Sequence, residues 1–354
     1  MDRPAKDGRH LADLVQMAIP LCKAAQAKLI RRGPGRPPVY EEWQIAVLIF
    51  VAILQRRKSK SSQWNFLSQH QPLLMELLQL TRFPTRSTYF ARYKRAWRIY
   101  EKAIELQGKK ALQEHVSSAR VIAADKSLIA AKGPAFHKRQ QKAGKPRRGT
   151  DTAAAWGCSG CKKWVFGYSY EVVVCAPKKQ VVFPLLASVD VGSRSEKTSF
   201  GHKIPLLPPS VRFSLEDKGY DSNPVAEAFE YLPCGRRSGR RFVCPPHSHF
   251  GKPAVGRTVR KGRREQSRQR RIARDRFYRS KRGRSLYRRR KQTVEPFNQW
   301  FKNLFELNER VWHRGLENNR TMILAAMFAY QLLVRYSFRH GRRDGQIQWI
   351  LDGL

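Results

Sequence analysis

Val121-Ile122-Ala123-Ala124-Asp125 is a short apolar run that ends on a carboxylate, and Arg212 to Leu215 is another, running into Glu216-Asp217-Lys218-Gly219-Tyr220-Asp221-Ser222. Both read as strands. Between them, Trp164 to Val174 alternates and becomes β-branched towards its end, and Gln180 to Val191 is a further strand candidate. Before residue 119 the texture is helical. Trp43, Val47, Leu48, Phe50, Val51 and Leu54 make a segment apolar nearly all round, and Trp64, Phe66, Leu67 and Leu73 to Leu80 keep helical spacing. After the strands, 223–232 reads as a brief helix, and Val294 to Asn308 and Thr321 to Phe338 return to helical apolar spacing. Helices followed by a strand-dominated core and more helices predict an α-helical domain over 1–118 leading into an α/β domain over 119–345.

Composition narrows the function. Hydrophobic residues make up 41% of the 354-residue chain, enough to bury a core and to exclude wholesale disorder. Lys and Arg number 70 against 27 Asp and Glu, a formal charge of +43 that would repel itself unless a polyanion shared the load. Gly235 to Lys291 alone holds 23 basic residues against Glu265 and Asp275, which marks a basic insertion at 233–287. Nucleic acid is the expected partner. The longest apolar run, Ile45 to Leu54, falls short of the roughly 20 residues that cross a bilayer, and Met1 to Pro20 lacks the pattern of a secretory leader. The expectation is therefore a cytoplasmic, nucleoid-associated protein with no membrane partner.

In so basic a chain the carboxylates at strand ends stand out. A fixed carboxylate there suits metal-assisted phosphoryl chemistry, in which two hard divalent cations roughly 3.5–4 Å apart are held by oxygen ligands. Asp125 and Asp217 are such residues, and Glu295 would add a third from a helix beside the sheet. Arg288, Lys291, Glu295, Asn298 and Lys302 recur at helical spacing, one carboxylate flanked by cations. Pro296 disfavours helix at the residue before it, so either a helix begins near Glu295 or one is kinked there. Asp190 and Glu216 compete for the acidic roles, with Glu216 expected to point to the other side of its strand from Asp217. Asp221 reads as a turn residue that caps the next helix.

These residues resemble the DDE transposases of bacterial insertion sequences. Ala123-Ala124-Asp125-Lys126-Ser127 is similar to the family's first-Asp motif, and Asp217-Lys218-Gly219-Tyr220 to its second, Asp-x-Gly-Tyr. Thr293-Val294-Glu295-Pro296-Phe297 with Lys302 resembles the third, where the pattern runs Tyr, two residues, Arg, three, Glu, six, Lys. The Glu-to-Lys half fits without a gap. In the other half Tyr287 is one position early, Arg288 stands where Tyr is expected and Lys291 replaces Arg, so either Tyr287 and Arg290 shift into place or other cations serve. Phe166-Gly167-Tyr168 resembles the second core strand, and the match spans about 119–340. The resemblance implies an RNase H-like mixed sheet flanked by helices. It implies Asp125, Asp217 and Glu295 as catalytic residues and Mg²⁺ ligands, with Mn²⁺ able to substitute. It also implies a homodimer that pairs two inverted-repeat ends of duplex DNA, cleaves them and transfers strands. The rival expectations are an RNase H-like nuclease without strand transfer and a sequence-specific DNA-binding protein whose triad no longer works.

Several segments suit DNA contact. Phe83-Pro84-Thr85, with Ser87 as a cap, opens a turn and helix in which Arg86 or Arg92 would face base edges and Lys94 and Arg95 phosphates. Gly35-Arg36-Pro37 is either a minor-groove hook or a plain basic linker. Lys302, Arg288, Arg290, Lys291 and Tyr287 would meet DNA beside the acidic residues. Cys158-Ser159-Gly160-Cys161 with Cys244 and His247 could make a zinc site, although a hairpin tip at Ser159-Gly160 is the preferred reading.

Overall fold

The computed structural model describes residues 9–29, 38–159, 163–246 and 263–354. Six helices come first: α1 (Arg9–Leu29), α2 (Glu42–Leu54), α3 (Lys60–Gln69), α4 (Gln71–Leu78), α5 (Arg86–Tyr93) and α6 (Trp97–Gln113). The strands follow, β1 (Val121–Ala130), β2 (Ala155–Cys158), β3 (Trp164–Cys175), β4 (Pro184–Val191), β5 (Phe213–Leu215) and β6 (Arg241–Val243). Among them lie α7 (Lys138–Lys142), α8 (Glu196–Lys203) and α9 (Asn223–Glu230). The chain ends in α10 (Arg263–Arg279), α11 (Lys281–Leu304), α12 (Leu316–Arg339) and α13 (Gln348–Asp352).

Strands β1, β3 and β4 form an antiparallel meander with β3 in its middle, and β5 and β6 add to the other side of β1 in parallel. This is the RNase H-like mixed sheet expected from the motifs. Strand β2 pairs with the first residues of β3, continuing the edge that β4 occupies further on. β1 does not stop at Asp125. Its second half stays paired with β3 as far as Ala130, and Lys126 Nζ reaches across to the carbonyls of Gly192 and Arg194 at 2.9 and 2.6 Å. β5 pairs only as far as Ala123. Asp125 therefore sits mid-strand, just past the point where β1 outruns its parallel neighbour, and not at a strand end.

The change from helix to strand near residue 118 is a change along the chain more than in space. α12 packs against α1, α2, α6 and β4, so its side chains from Thr321 to Ser337 are buried among the first helices and the sheet. α12 is long and apolar enough to cross a membrane, yet it is the central helix of this core. Trp43 to Leu54 are all buried around it, each large apolar side chain contributing about 1.5–3 kcal/mol. Gly108 lets α6 press onto β4, since a Cβ there would stand 2.9 Å from the Leu185 carbonyl oxygen. The basic segment is likewise built into the fold: β6 is the outer strand of the sheet, and α10 packs on β6 and α11. Two caps differ from expectation. Thr85, not Ser87, accepts from the Thr88 N–H and starts α5, and Asp221 pairs with Arg271 of α10 at 2.8 Å.

Candidate active site

α11 carries half of the site. Ser280 caps its start by accepting from Gly283 N at 3.1 Å, and Leu286, Val294, Phe297, Phe301 and Leu304 bury one face of it. Pro296 lies inside this continuous helix, so the expectation of a helix beginning near Glu295 is overturned. The carbonyl four residues earlier, left without its partner N–H, belongs to exposed Gln292, where water can satisfy it. The face towards β1 holds Asn298 and Lys302. Asn298 Nδ2 donates to Asp125 Oδ2 at 2.7 Å, while its own oxygen accepts from the buried Tyr170 hydroxyl at 2.9 Å. Lys302 Nζ donates to the Leu128 carbonyl at 2.9 Å.

Arg290 joins two of the expected acids. Its Nη2 lies 2.7 Å from Asp125 Oδ1 and its Nη1 3.3 Å from Glu295 Oε1. It is 6% exposed, whereas Arg288 and Lys291 face solvent. Of the alternatives left by the spacing, the structure thus brings Arg290 to the acids, with the half-buried Tyr287 one turn before it packed edge-on against Tyr278.

Asp217 arrives from the sheet. The Glu216 N–H bonds to the Val243 carbonyl at 2.9 Å, prolonging the ladder beyond Leu215, and Asp217 then accepts from Gly219 N at 2.5 Å to cap a short helical turn, Lys218–Tyr220. Gly219 leaves room there for a neighbouring side chain. A Cβ would fall 2.3 Å from Glu196 Oε2 and 3.2 Å from Asp217 Oδ1, so the carboxylate of Glu196, the first residue of α8, crowds onto the same turn. Neither rival acid joins them. Glu216 is fully buried against the Ser214 hydroxyl, on the other side as expected, and burial holds its carboxyl well above the usual range. Asp190 pairs with Arg194 and Arg320 at 3.5 and 3.6 Å.

Charge in the site is unbalanced. Burial, helped by Asp217, Glu196 and Glu295 and opposed by Arg290, pushes the Asp125 carboxyl up to about 6. Burial and then Asp217 push Glu196 upward too. Burial lowers the Lys302 ammonium despite the pull of Asp125. A partly buried group of oxygen donors short of positive charge suits a hard divalent cation, so the donor chemistry fits. As the side chains stand, no three Asp, Glu, His or Cys among the described residues close around one point, and Arg290 bridges Asp125 and Glu295.

A family model of the transposase DDE domain matches residues 117–332, which takes in all three motifs. The chain belongs to the DDE transposase family. Members of that family use divalent metal ions to cleave DNA and transfer strands, and the protein is a transposase. No curated protein matches the chain. Among solved structures, it is similar to a piggyBac transposase synaptic complex with hairpin DNA, at 10% identity and TM-score 0.42, covering 99% of this chain and 79% of that one. It is also similar to a pre-cleavage Mos1 transpososome, at 13% identity and TM-score 0.19, covering 88% and 83%. Neither likeness is strong enough to bear on function.

The transposase's other predicted contacts separate into used and exposed cations. Arg92 is used, its Nη1 2.6 Å from the Tyr40 carbonyl and 3.3 Å from Glu42. Arg86 donates to Ser61 at 2.8 Å but remains exposed, and Lys94 and Arg95 lie exposed in the turn that separates α5 from α6. Arg36, Cys161 and His247 lie outside the described residues. The zinc reading fails on topology. Cys158 ends β2 on one side of the sheet and Cys244 follows β6 on the other, four interstrand spacings of about 4.8 Å away. Cys158 instead pairs with Trp164 across a hairpin, and the Cys244 thiol donates to the Asp217 carbonyl at 2.9 Å. Sequence reasoning missed the Glu196 carboxylate and the Tyr170 hydroxyl behind Asn298. The capping position of Ser195, directly before Glu196, was the one local signal available for the former.

Proposed function

We propose that Asp125, Asp217 and Glu295 are the catalytic carboxylates of this transposase and bind Mg²⁺, with Mn²⁺ able to replace it. The observation that carries this is Arg290, a buried guanidinium that ties Asp125 of the sheet to Glu295 of α11 while Asp217 stands beside them. Bound there, divalent cations lower the cost of forming an oxygen nucleophile and stabilise the leaving oxygen. The chain's own residues hold the geometry. Asn298, oriented by Tyr170, fixes one oxygen of Asp125, and Arg290 fixes the other. Exposed Arg288 and Lys291, beside Tyr287, would take phosphates of the duplex approaching the site, and Arg86, Lys94 and Arg95 would hold it farther away.

The substrates in this reading are the element's terminal inverted repeats and then target DNA, bound by a homodimer that brings two ends together. The place of action is the nucleoid. The test is cleavage of a duplex carrying an element end, with Mg²⁺, followed by capture of a target plasmid. Wild type should nick and join; Asp217→Ala should do neither. Equal nicking by the two proteins would end the triad assignment, and nicking without joining would leave a nuclease.

A further inference from the structure

Two of the four acidic side chains in the site bond a cation and two do not. Arg290 takes Asp125 and Glu295. On the other side, Asp217 accepts one backbone hydrogen bond, from Gly219, and Glu196 makes no hydrogen bond or ion pair among the described residues. Yet these two carboxylates converge. A single point, the Cβ position of Gly219, lies 2.3 Å from Glu196 Oε2 and 3.2 Å from Asp217 Oδ1, so the oxygens are no farther apart than those distances laid end to end. The two cations whose charge acts on Glu196, Lys126 and Arg290, are bonded elsewhere, as is the buried Lys203 at the far end of α8. Lys126 spends its ammonium on the carbonyls of Gly192 and Arg194, and Lys203 spends its own on Glu171, Ser188 and Ser199. Two like charges held this close and this poorly compensated persist where a cation completes them.

We infer that Glu196 is a fourth carboxylate of the active site, which with Asp217 supplies oxygen to a divalent cation on the side of the site where Arg290 makes no bond. The inference rests on the catalytic reading of Asp217. It gives Gly219 a reason beyond the turn, because any side chain there would push Glu196 away from Asp217. It also gives α8 a function. The helix starts at Glu196 and is anchored by Lys203, which bonds Glu171 of β3 at 3.1 Å and Ser188 of β4 at 2.6 Å, so the carboxylate is presented from a fixed element.

Mn²⁺ binding to the full chain without DNA, read from the electron paramagnetic resonance signal of the free ion, tests this independently of catalysis. Glu196→Gln should bind Mn²⁺ at least about tenfold more weakly than wild type, and Asp190→Asn, whose carboxylate is paired elsewhere, should bind like wild type. Cleavage by Glu196→Gln should be poor at low Mn²⁺ and recover as Mn²⁺ is raised, with KM for DNA unmoved. If Asp217→Asn loses Mn²⁺ and Glu196→Gln does not, this inference falls alone. If neither loses it, the catalytic reading falls as well. Should Glu196→Gln fail to fold, Glu196→Asp keeps the charge but withdraws the oxygens by one methylene, and wild-type Mn²⁺ affinity in that variant would overturn the role equally.

Discussion

Two buried arginines meet carboxylates in this transposase, with opposite results. Arg335 of α12, 1% exposed, grips Glu114 at the end of α6 with two bonds of 2.5 and 2.6 Å, and Arg339 adds a third at 2.7 Å. One acid is shared by two arginines, whose hydrogen bonds overcome the cost of burial and hold the Glu114 carboxyl down to about 2. In the site, one arginine, Arg290, serves Asp125 and Glu295 with Asp217 and Glu196 close by, and the Asp125 carboxyl rises to about 6. Both constellations are ion pairs by distance. What separates scaffold from active site is the surplus of charge: the first is closed, the second still lacks cations.

The largest expected effects pull the two apart. Asp217→Ala should lower strand cleavage by about three orders of magnitude or more, as losing several kcal/mol of metal-borne stabilisation requires, with little change in urea unfolding. Glu114→Ala should do the reverse. It leaves Arg335 buried without its acid, which costs about 3–5 kcal/mol of stability, while cleavage per folded molecule stays near wild type. A Glu114→Ala protein that is folded but inactive would break the comparison.

Legibility follows the range of the interactions. Strands β1, β3 and β5 can be read because alternation and β-branching are local, and the two Asp motifs because each sits on such a strand. The end of β1 cannot, because Lys126-Ser127 looks like a turn; what keeps it extended is β3 and the carbonyls of Gly192 and Arg194, both distant in sequence. The boundary near 118 is clear as texture, but α12 returns from the far end of the chain to fill the first helices. The choice between Arg290 and Lys291 is undecidable from spacing. Lys291 has the right interval to Glu295, but Arg290 faces β1 and has the reach to span both acids. Glu196 is invisible for the same reason, since its neighbour across the site is Gly219.

Acid titration of stability in metal-free buffer should show the two constellations as slopes of opposite sign. The Glu114 carboxyl is lowered, so its contribution is fully present above its ordinary 4.5 and is lost as pH falls towards about 2. The Asp125 carboxyl is raised, so the stability tied to its protonation is present below its ordinary 3.8 and is lost as pH rises through about 6. Glu114→Gln should flatten the acid limb. Asp125→Asn should remove part of the slope between about 4 and 6, Glu196 keeping a share, and gain at most about 3 kcal/mol at pH 7. Denaturant midpoints across that range are the measurement, and an Asp125→Asn curve parallel to wild type would contradict the charge surplus.

The smallest effect is the most selective. Replacing each arginine by methionine keeps a long side chain and removes the charge. Without Arg290, Asp125 and Glu295 lose the cation that bonds them, so Mg²⁺ should stabilise Arg290→Met more than it stabilises wild type. A tenfold gain in affinity adds about 1.4 kcal/mol at saturation, a shift of about 2 °C in Tm for a chain of this length. Arg335→Met should melt earlier than wild type but respond to Mg²⁺ as wild type does, because the acid it abandons, Glu114, still has Arg339 at 2.7 Å, and among the described residues these two arginines bond no second carboxylate. Equal Mg²⁺ responses in the two variants would mean that Arg290 does not stand where a cation belongs, and the distinction between a closed and an open constellation would be lost.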